Sequence, residues 1–494
     1  MNGRSIRGLM AGACALALVA CASGVRKPDV TLPTAYEAPA GTSALTPQAL
    51  DQWWLIFGDD ELNGLEAGAL KASPTAKTQI ARLKEAAATR TSSILQTYPT
   101  GDLTGNAARQ TAYNIAGGQS NSLFPVGGIT DTDQLNFNVS WEFDFLGALN
   151  DARKATRDTY AATQFDIEAA RASLVANVAD SYFQARGLAI QLDDANEQLK
   201  IEQRLLFVAQ AKATAGIGAA SDADRIAGDV AQSLSQVSNL EAQQHAAARL
   251  LLILVGRGPE PVENLPLTAT VPDPPPLPEA LPGELMIRRP DVREADFKMR
   301  AAVLQTKLAK EELFPNITLK PALGLARTVA PGVGVVALLP QLLLAPEQRT
   351  TATGFWSYGV GLSQPVLDIP RLLQDAKAQG ARAEQAVIAY ELAVQNAYGD
   401  AENALVELSS DEARIKILED GEARARRAYD AEDIRYRAGI DDVTAVLTAE
   451  QEWRADRTAL TGERVQALRR AVQTYKALGG GWDYQSTKTA ARTP

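Results

Sequence analysis

Residues able to do chemistry are few in this chain of 494 residues, and most of them argue against catalysis. His245 is the only histidine, so the chain can assemble neither a histidine metal cluster nor a Ser-His-Asp arrangement. Pro331-Gly332-Val333-Gly334-Val335 lacks the third glycine of a dinucleotide loop, and no Walker-type lysine loop is present. With 4 Met and 2 Cys, soft ligands are too sparse for a copper-type relay. The expectation is a protein that is no enzyme, takes no cofactor and does not power its own work.

One side chain does call for covalent chemistry. Arg4 and Arg7 precede an apolar run over residues 9–20, too short to span a membrane and suited to a signal peptide. The run ends in Leu18-Val19-Ala20-Cys21, which resembles a bacterial lipobox, a site cut before the cysteine, whose thiol then takes a diacylglyceryl group. Cys14 falls in the removed segment. Cys21 is then the mature chain's single thiol, better explained as an acylated anchor than as half of a disulfide. Ala22 rather than Asp follows it, favouring the outer membrane.

The elements around these residues are dominated by an internal repeat. Ser140, Leu149, Gly216, Gly256 and Gly258 recur as Ser363, Leu372, Gly439, Gly479 and Gly481, always at an offset of 223 (363 − 140). Gap-free self-similarity of this length settles architecture before any local motif does. Each copy reads as a strand, a long helix, an Ala-Gly-Ile turn, a returning helix and a Gly-x-Gly stop. In the second copy Leu373, Ala376, Gly380, Ala383, Val387, Tyr390, Val394 and Ala397 form a heptad seam of mostly small residues. Leu174, Val178, Tyr182, Ala185, Ala189 and Leu192 hold the same face in the first. A helix over 149–214 would be roughly 100 Å long, more than a compact domain accommodates, so it must lie against other helices. The remaining charges on these helices read as solvated faces.

Residues 134–145 alternate without a break, Leu135, Phe137, Val139, Trp141, Phe143 and Phe145 against Gln134, Asn136, Asn138, Ser140, Glu142 and Asp144. That is one apolar and one polar face. Residues 355–364 repeat it weakly, and 102–114 and 316–328 are partner candidates; the apolar stretch 333–344 reads as a loop. Four strands cannot close a barrel, whose smallest examples need about eight, so closure demands several copies. After residue 21 no apolar stretch reaches 18 residues, so no transmembrane helix is expected. The formal charge of −10 argues against nucleic acid. The resulting division is a signal peptide over 1–20 and a lipidated tether over 21–47. A first repeat follows over 48–258 (helix, two strands, long helical hairpin), then a Pro-rich linker over 259–283. A second repeat of the same elements spans 284–481, ahead of a flexible tail over 482–494.

With the lipobox at Cys21, these landmarks include Trp53-Trp54 with Phe57-Gly58-Asp59, Ser140-Trp141-Glu142 and Ala215-Gly216-Ile217. Arg289-Pro290-Asp291-Val292-Arg293, Ser363-Gln364-Pro365 and Ala438-Gly439-Ile440 follow. In that order the chain resembles the TolC-like outer membrane factors, in particular their NodT-type lipoprotein branch serving tripartite pumps. The resemblance implies an α+β membrane protein: a homotrimer whose twelve-stranded transmembrane β-barrel continues into a long periplasmic α-helical barrel. It implies a passive efflux duct in the outer membrane of a Gram-negative bacterium, fed by an inner-membrane RND-type transporter through a periplasmic adaptor. Gly216 and Gly439 match the family's helix tips, where the adaptor docks; turn chemistry alone is the other reading of them. The family often places a gate aspartate nine residues after the second tip glycine, and here that position is Thr448. Asp441 and Asp442, or Asp222 and Asp224, would form a cation-selecting ring if tripled, or else serve as helix caps. Arg289-Pro290-Asp291 reads as a Pro-led helix start, and the Trp pair as packing. The rival reading is a non-conducting structural coiled-coil envelope lipoprotein, which leaves the matched aromatic strands unexplained.

Overall fold

The computed structural model describes residues 25–39, 47–112, 128–279, 282–338, 341–438, 440–441 and 443–482. In chain order the elements are α1 (Pro47–Asp51), a 3-10 turn (Trp53–Phe57), α2 (Asp60–Ala72), α3 (Pro74–Leu95), β1 (Thr100–Ala112) and β2 (Gly128–Glu142). The first long hairpin is α4 (Ala148–Thr214) and α5 (Ala220–Val255). A 3-10 turn (Val262–Asn264), α6 (Pro282–Arg288), α7 (Pro290–Glu311), β3 (Asn316–Leu319), β4 (Ala322–Leu338), β5 (Gln341–Ser357) and β6 (Val360–Ser363) come next. The second hairpin is α8 (Ile369–Arg437) and α9 (Val443–Ala477).

The chain divides into two compact units. The unit of residues 88–158 and 300–384 carries the strands. All pair antiparallel, in the order β1-β2-β4-β5, from Thr100↔Ser140 to Ala112↔Gly128 and from Ala322↔Ser357 to Leu338↔Gln341. The register fixes two unlike faces. Leu103, Phe137, Leu323 and Trp356 share one rung, and Leu135 and Leu325 the next apolar one. Asp102 and Asn138, then Asn106 and Gln134, lie on the opposite face. Two of the four expected strands break. Pro321 has no N–H to give a ladder, and the chain passes from β3 to β4 there while Lys320 donates to the Gly359 carbonyl at 2.8 Å. β3 and β6 form a separate strip against the end of β2, with Trp141↔Leu319 and Ile317↔Leu362. The stretch 333–344 does not read out as a loop: β4 covers it up to Leu338 and β5 from Gln341, the two paired from Val333↔Pro346 to Leu338↔Gln341. An unbroken apolar run can be a strand as readily as a loop, and periodicity cannot separate the two.

The unit of residues 27–87, 159–299 and 385–494 is helical. Its core gathers Trp53 in a stack 5.7 Å from Tyr475, Phe57 5.0 Å from Phe183, and Tyr182, Leu251, Leu252 and Leu468. Asp59 caps α2 by accepting from the Glu61 and Leu62 amides, and takes Tyr182 and Arg186 as well. The Trp pair is therefore packing. The expected seam is buried at Ala376, Ala383, Val387, Tyr390, Val394 and Ala397.

The unit also refines the ends of the expected segments. Trp482, assigned by sequence to the tail, is fully buried with its indole N–H donating to the Arg288 carbonyl at 3.1 Å. Leu265 and Leu277 bury the linker into the core. Residues 29–38 of the tether lie on α8, with the Ala38 amide on Glu402 at 2.7 Å and Tyr36 stacked on Tyr398.

Each hairpin ends on a left-handed glycine for a steric reason. A Cβ on Gly256 would sit 2.6 Å from the Ala72 carbonyl oxygen, and one on Gly479 2.9 Å from the backbone of Arg288. These two contacts fall where α2 meets Ser73-Pro74 and where α6 meets Arg289-Pro290, so the repeat extends to the short helices. Arg289 is clasped by Asp291 at 2.6 Å and Asp400 at 3.1 Å, the structural role expected of that motif.

Candidate functional site

The hairpin tips are built by the same local hydrogen bonds. Gly216 has φ +72°, its amide donates to Ala213 at 3.1 Å, and the Ile217 amide donates to Lys212 at 3.0 Å. That pair is a Schellman stop, which frees a helix end from unpaired carbonyls by using a residue in the left-handed region. At the second tip the Ile440 amide donates to Arg435 at 3.0 Å, the same bond 223 residues on (440 − 217). Ile217 and Ile440 are both exposed, at 77% and 67%. Gly439, Asp442 and Cys21 lie outside the described residues.

The candidate acids differ in their surroundings. Asp222 is in the first turn of α5 and exposed, as is Asp224, and neither forms an ion pair among the described residues. Asp441 instead meets Arg435, whose guanidinium holds its carboxyl below the usual carboxylate range. It stays ionised with its charge matched. Among the described residues no group of three or more His, Cys, Asp or Glu is placed to hold a metal. Nor is any helix among them long and apolar enough to cross a membrane.

The expectation that helix charges face solvent fails between α8 and α9. Asp411 is fully buried and accepts from Arg470 at 2.6 Å through Oδ1, while Arg414 holds Glu463 at 2.6 Å through Oε2. The other oxygens, Asp411 Oδ2 and Glu463 Oε1, are buried without a donor. The two carboxyls face each other, so a proton on Asp411 can be donated to Glu463. Burial first, then Glu463, push the Asp411 carboxyl up to about 6, against the pull of Arg470. Further along, Glu450 and Arg454 pair at 2.8 Å, both buried, and Arg457 holds Asp194 at 2.7 Å. A signal for this existed: Asp411 continues the seam between Leu408 and Ile415 at heptad spacing.

An antiparallel sheet with one apolar face, joined to twin helical hairpins with glycine tips, defines a class, that of outer membrane efflux channels. Residues 67–257 and 281–480 match the family described as Outer membrane efflux protein, one stretch per repeat with the linker between, and the chain belongs to that family. It is 28% identical to the pyoverdine export outer membrane protein OpmQ of Pseudomonas aeruginosa over 87% of each chain. It is 25% identical to the probable outer membrane lipoprotein SilC of Salmonella typhimurium, over 94% of this chain and 96% of that one. Among solved structures, the outer-membrane channel OprN superposes with a TM-score of 0.75 at 25% identity, over 94% of this chain and 100% of its own. The chain is an outer membrane component of an efflux system, and not an enzyme.

Proposed function

We propose that three copies of this chain form a passive duct: a twelve-stranded barrel in the outer membrane and a twelve-helix tube in the periplasm. The observation that carries the reading is a sheet with two bare edges. β1 and β5, of 13 and 17 residues, each pair on one side only among the described residues. Long unpaired edges cannot stand in lipid, where every backbone group must be satisfied, and three sets of four strands close a barrel. The apolar rungs then face lipid and the polar rungs face water.

The duct takes small molecules from an inner-membrane RND-type transporter through a periplasmic adaptor, which docks at the tips around Gly216 and Gly439. Asp222, Asp224, Asp441 and Asp442 line the narrow periplasmic end, where the uncompensated pair near the first tip carries the greater share of cation selection. Cys21 carries the lipid, in keeping with SilC being named a lipoprotein. Purified protein of trimer mass should give stepwise, cation-selective conductance in planar bilayers; a silent monomer would return the structural-spacer reading. Cys21→Ser should abolish palmitate labelling, and label kept on that variant would overturn the anchor. Gly216→Trp with Gly439→Trp should stop efflux while trimer mass is kept, and undiminished efflux would remove the docking role.

A further inference from the structure

The apolar face of the sheet does not end as it begins. At the end nearest the helices it closes on aromatic residues: Trp141 on β2, and Trp356, stacked 5.9 Å from Tyr358. Aromatic rings of this kind mark a membrane–water interface. Towards the loop end the same face carries Leu135 and Leu325, then a rung of Asp133 and Arg327, then one of Arg109 and Asp131. Among the described residues no aromatic ring closes this end. Asp133 stands eight residues from Trp141, about 27 Å along a strand and roughly 20 Å in height at a tilt of about 40°. The apolar band of an outer membrane barrel is about 25 Å tall. The two charged rungs therefore fall at the outer headgroup level, where a guanidinium meets phosphate rather than water.

The geometry points to Arg109 and Arg327 as a ledge for the phosphates of the outer-leaflet glycolipid. The assignment rests on the barrel reading above. Asp131 spans only one edge of Arg109, through Nε at 2.7 Å and Nη2 at 2.8 Å, which leaves Nη1 to donate elsewhere. Arg327 reaches Asp133 only at 3.8 Å. Each arginine thus keeps donors for an incoming phosphate, which a guanidinium takes in a fork. The two arginines sit on strands flanking β2, on consecutive rungs of this face, about 12 Å between their Cα atoms. That spacing suits two phosphates of one disaccharide headgroup. Small residues make room: Gly105 and Ala107 on one side, Ala352 and Gly354 on the other, line a depression of about 630 Å³ beside Asp133 and Arg327.

The test uses the full-length, delipidated protein and native mass spectrometry with three probes: a bisphosphorylated lipid disaccharide, its dephosphorylated form, and phosphatidylglycerol. Arg109→Gln with Arg327→Gln should weaken binding of the first probe at least about tenfold, the scale of a lost charge-assisted bond. The control Arg371→Gln, which breaks a helical surface pair with Asp375, should not. Wild-type protein should bind the dephosphorylated disaccharide as weakly as the double variant binds the phosphorylated one. Undiminished binding by the double variant, or phosphatidylglycerol held as tightly as the phosphorylated disaccharide, would overturn the ledge. If the Gln variant does not assemble, Arg109→Lys with Arg327→Lys keeps the charge and loses the fork; equal affinity there would overturn it too. Planar-bilayer conductance on the same preparations keeps the two readings apart. Conducting variants with unchanged glycolipid binding remove the ledge alone, whereas a non-conducting wild type removes the barrel.

Discussion

The hairpin of α4 and α5 closes on Ala195, Leu199, Val230, Val237 and Leu240, with Leu188, Leu192 and Leu206 packed around them. The hairpin of α8 and α9 is apolar at Leu405, Leu408, Leu468 and Val472 and again at Ile415, Leu460 and Ala467, but it sets buried charge between these patches. There Asp411 meets Arg470, Arg414 meets Glu463 and Glu450 meets Arg454. Both hairpins stem from one duplicated unit and stop on the same turn bonds, so topology does not account for the difference. An apolar seam is non-directional and indifferent to pH and salt. A buried ionic seam fixes register, and it is costly to break because one removed partner leaves a charge without solvent. Duplication has left the contact between α4 and α5 apolar and the contact between α8 and α9 partly ionic.

The comparison breaks most visibly at Arg470. Arg470→Met strands the Asp411 carboxyl, and melting of the detergent-solubilised protein should report a loss of about 3 kcal/mol, the low end for a buried pair because Arg470 is partly exposed. Adding Asp411→Leu should restore most of it; no loss in the single variant would mean the seam is not ionic in effect. Leu240→Ala in the apolar hairpin should cost about 2–4 kcal/mol through lost burial and the cavity left behind. That cost should be equal in low and high salt, whereas the Arg470→Met cost should not; salt dependence at Leu240 would erase the contrast.

Hydrophobic period and repeat made the helices legible, because a seam of eight residues at 3, 4 spacing admits no strand and its buried face follows. The long strand was legible in part from its alternating residues: β2 starts at Gly128, ahead of the expected Gln134, and stops at Glu142, short of the expected Phe145. The second pair was not, since Pro321 splits one arm and an unbroken apolar run hides the next, leaving nothing with period two to read. The tip at Gly216 was legible as a turn, as helix stops are local chemistry. The charge pairing of Asp441 was not, because Arg435 lies six residues back across a turn whose geometry the sequence leaves open. Asp411 sat in plain view at a seam position, but burial of a carboxyl becomes expected only once Arg470 is known to stand opposite.

A finer test of the contrast uses protons. Burial and the facing Glu463 push the folded Asp411 carboxyl up from its ordinary 3.8 to about 6. Its stabilising contribution is therefore complete below about 3.8 and is lost as the pH rises through about 6. Glu463, Arg470, Arg414 and Glu407 surround it, and Glu463 is the group that repels once both carboxyls ionise. Amides near residues 411 and 463 should exchange faster at about pH 7.5 than at about pH 5, after correction for intrinsic rates. Amides near Val230 and Val237 in α5 should not change. Asp411→Asn should flatten the first difference, and a slope surviving that variant would assign the proton to another group.

The smallest expected effect lies at the second tip. Arg435 and Asp441 form a surface pair with side chains 52% and 25% exposed, and solvent screening leaves such pairs little weight in stability. Asp441→Asn should accordingly leave melting almost unmoved. Its effect on conduction should be the smaller one, since it changes the charge at each tip by one, where the double change at the first tip changes it by two. Asp222→Asn with Asp224→Asn removes charge that no neighbour compensates among the described residues, so cation selectivity in bilayers should fall further there. In the proposed trimer each change is counted three times, which makes a modest difference per chain measurable as a shift in reversal potential. If Asp441→Asn lowered selectivity more than the Asp222 and Asp224 pair, the constriction would belong to the second hairpin, at the tip whose described candidate acid is already matched by an arginine.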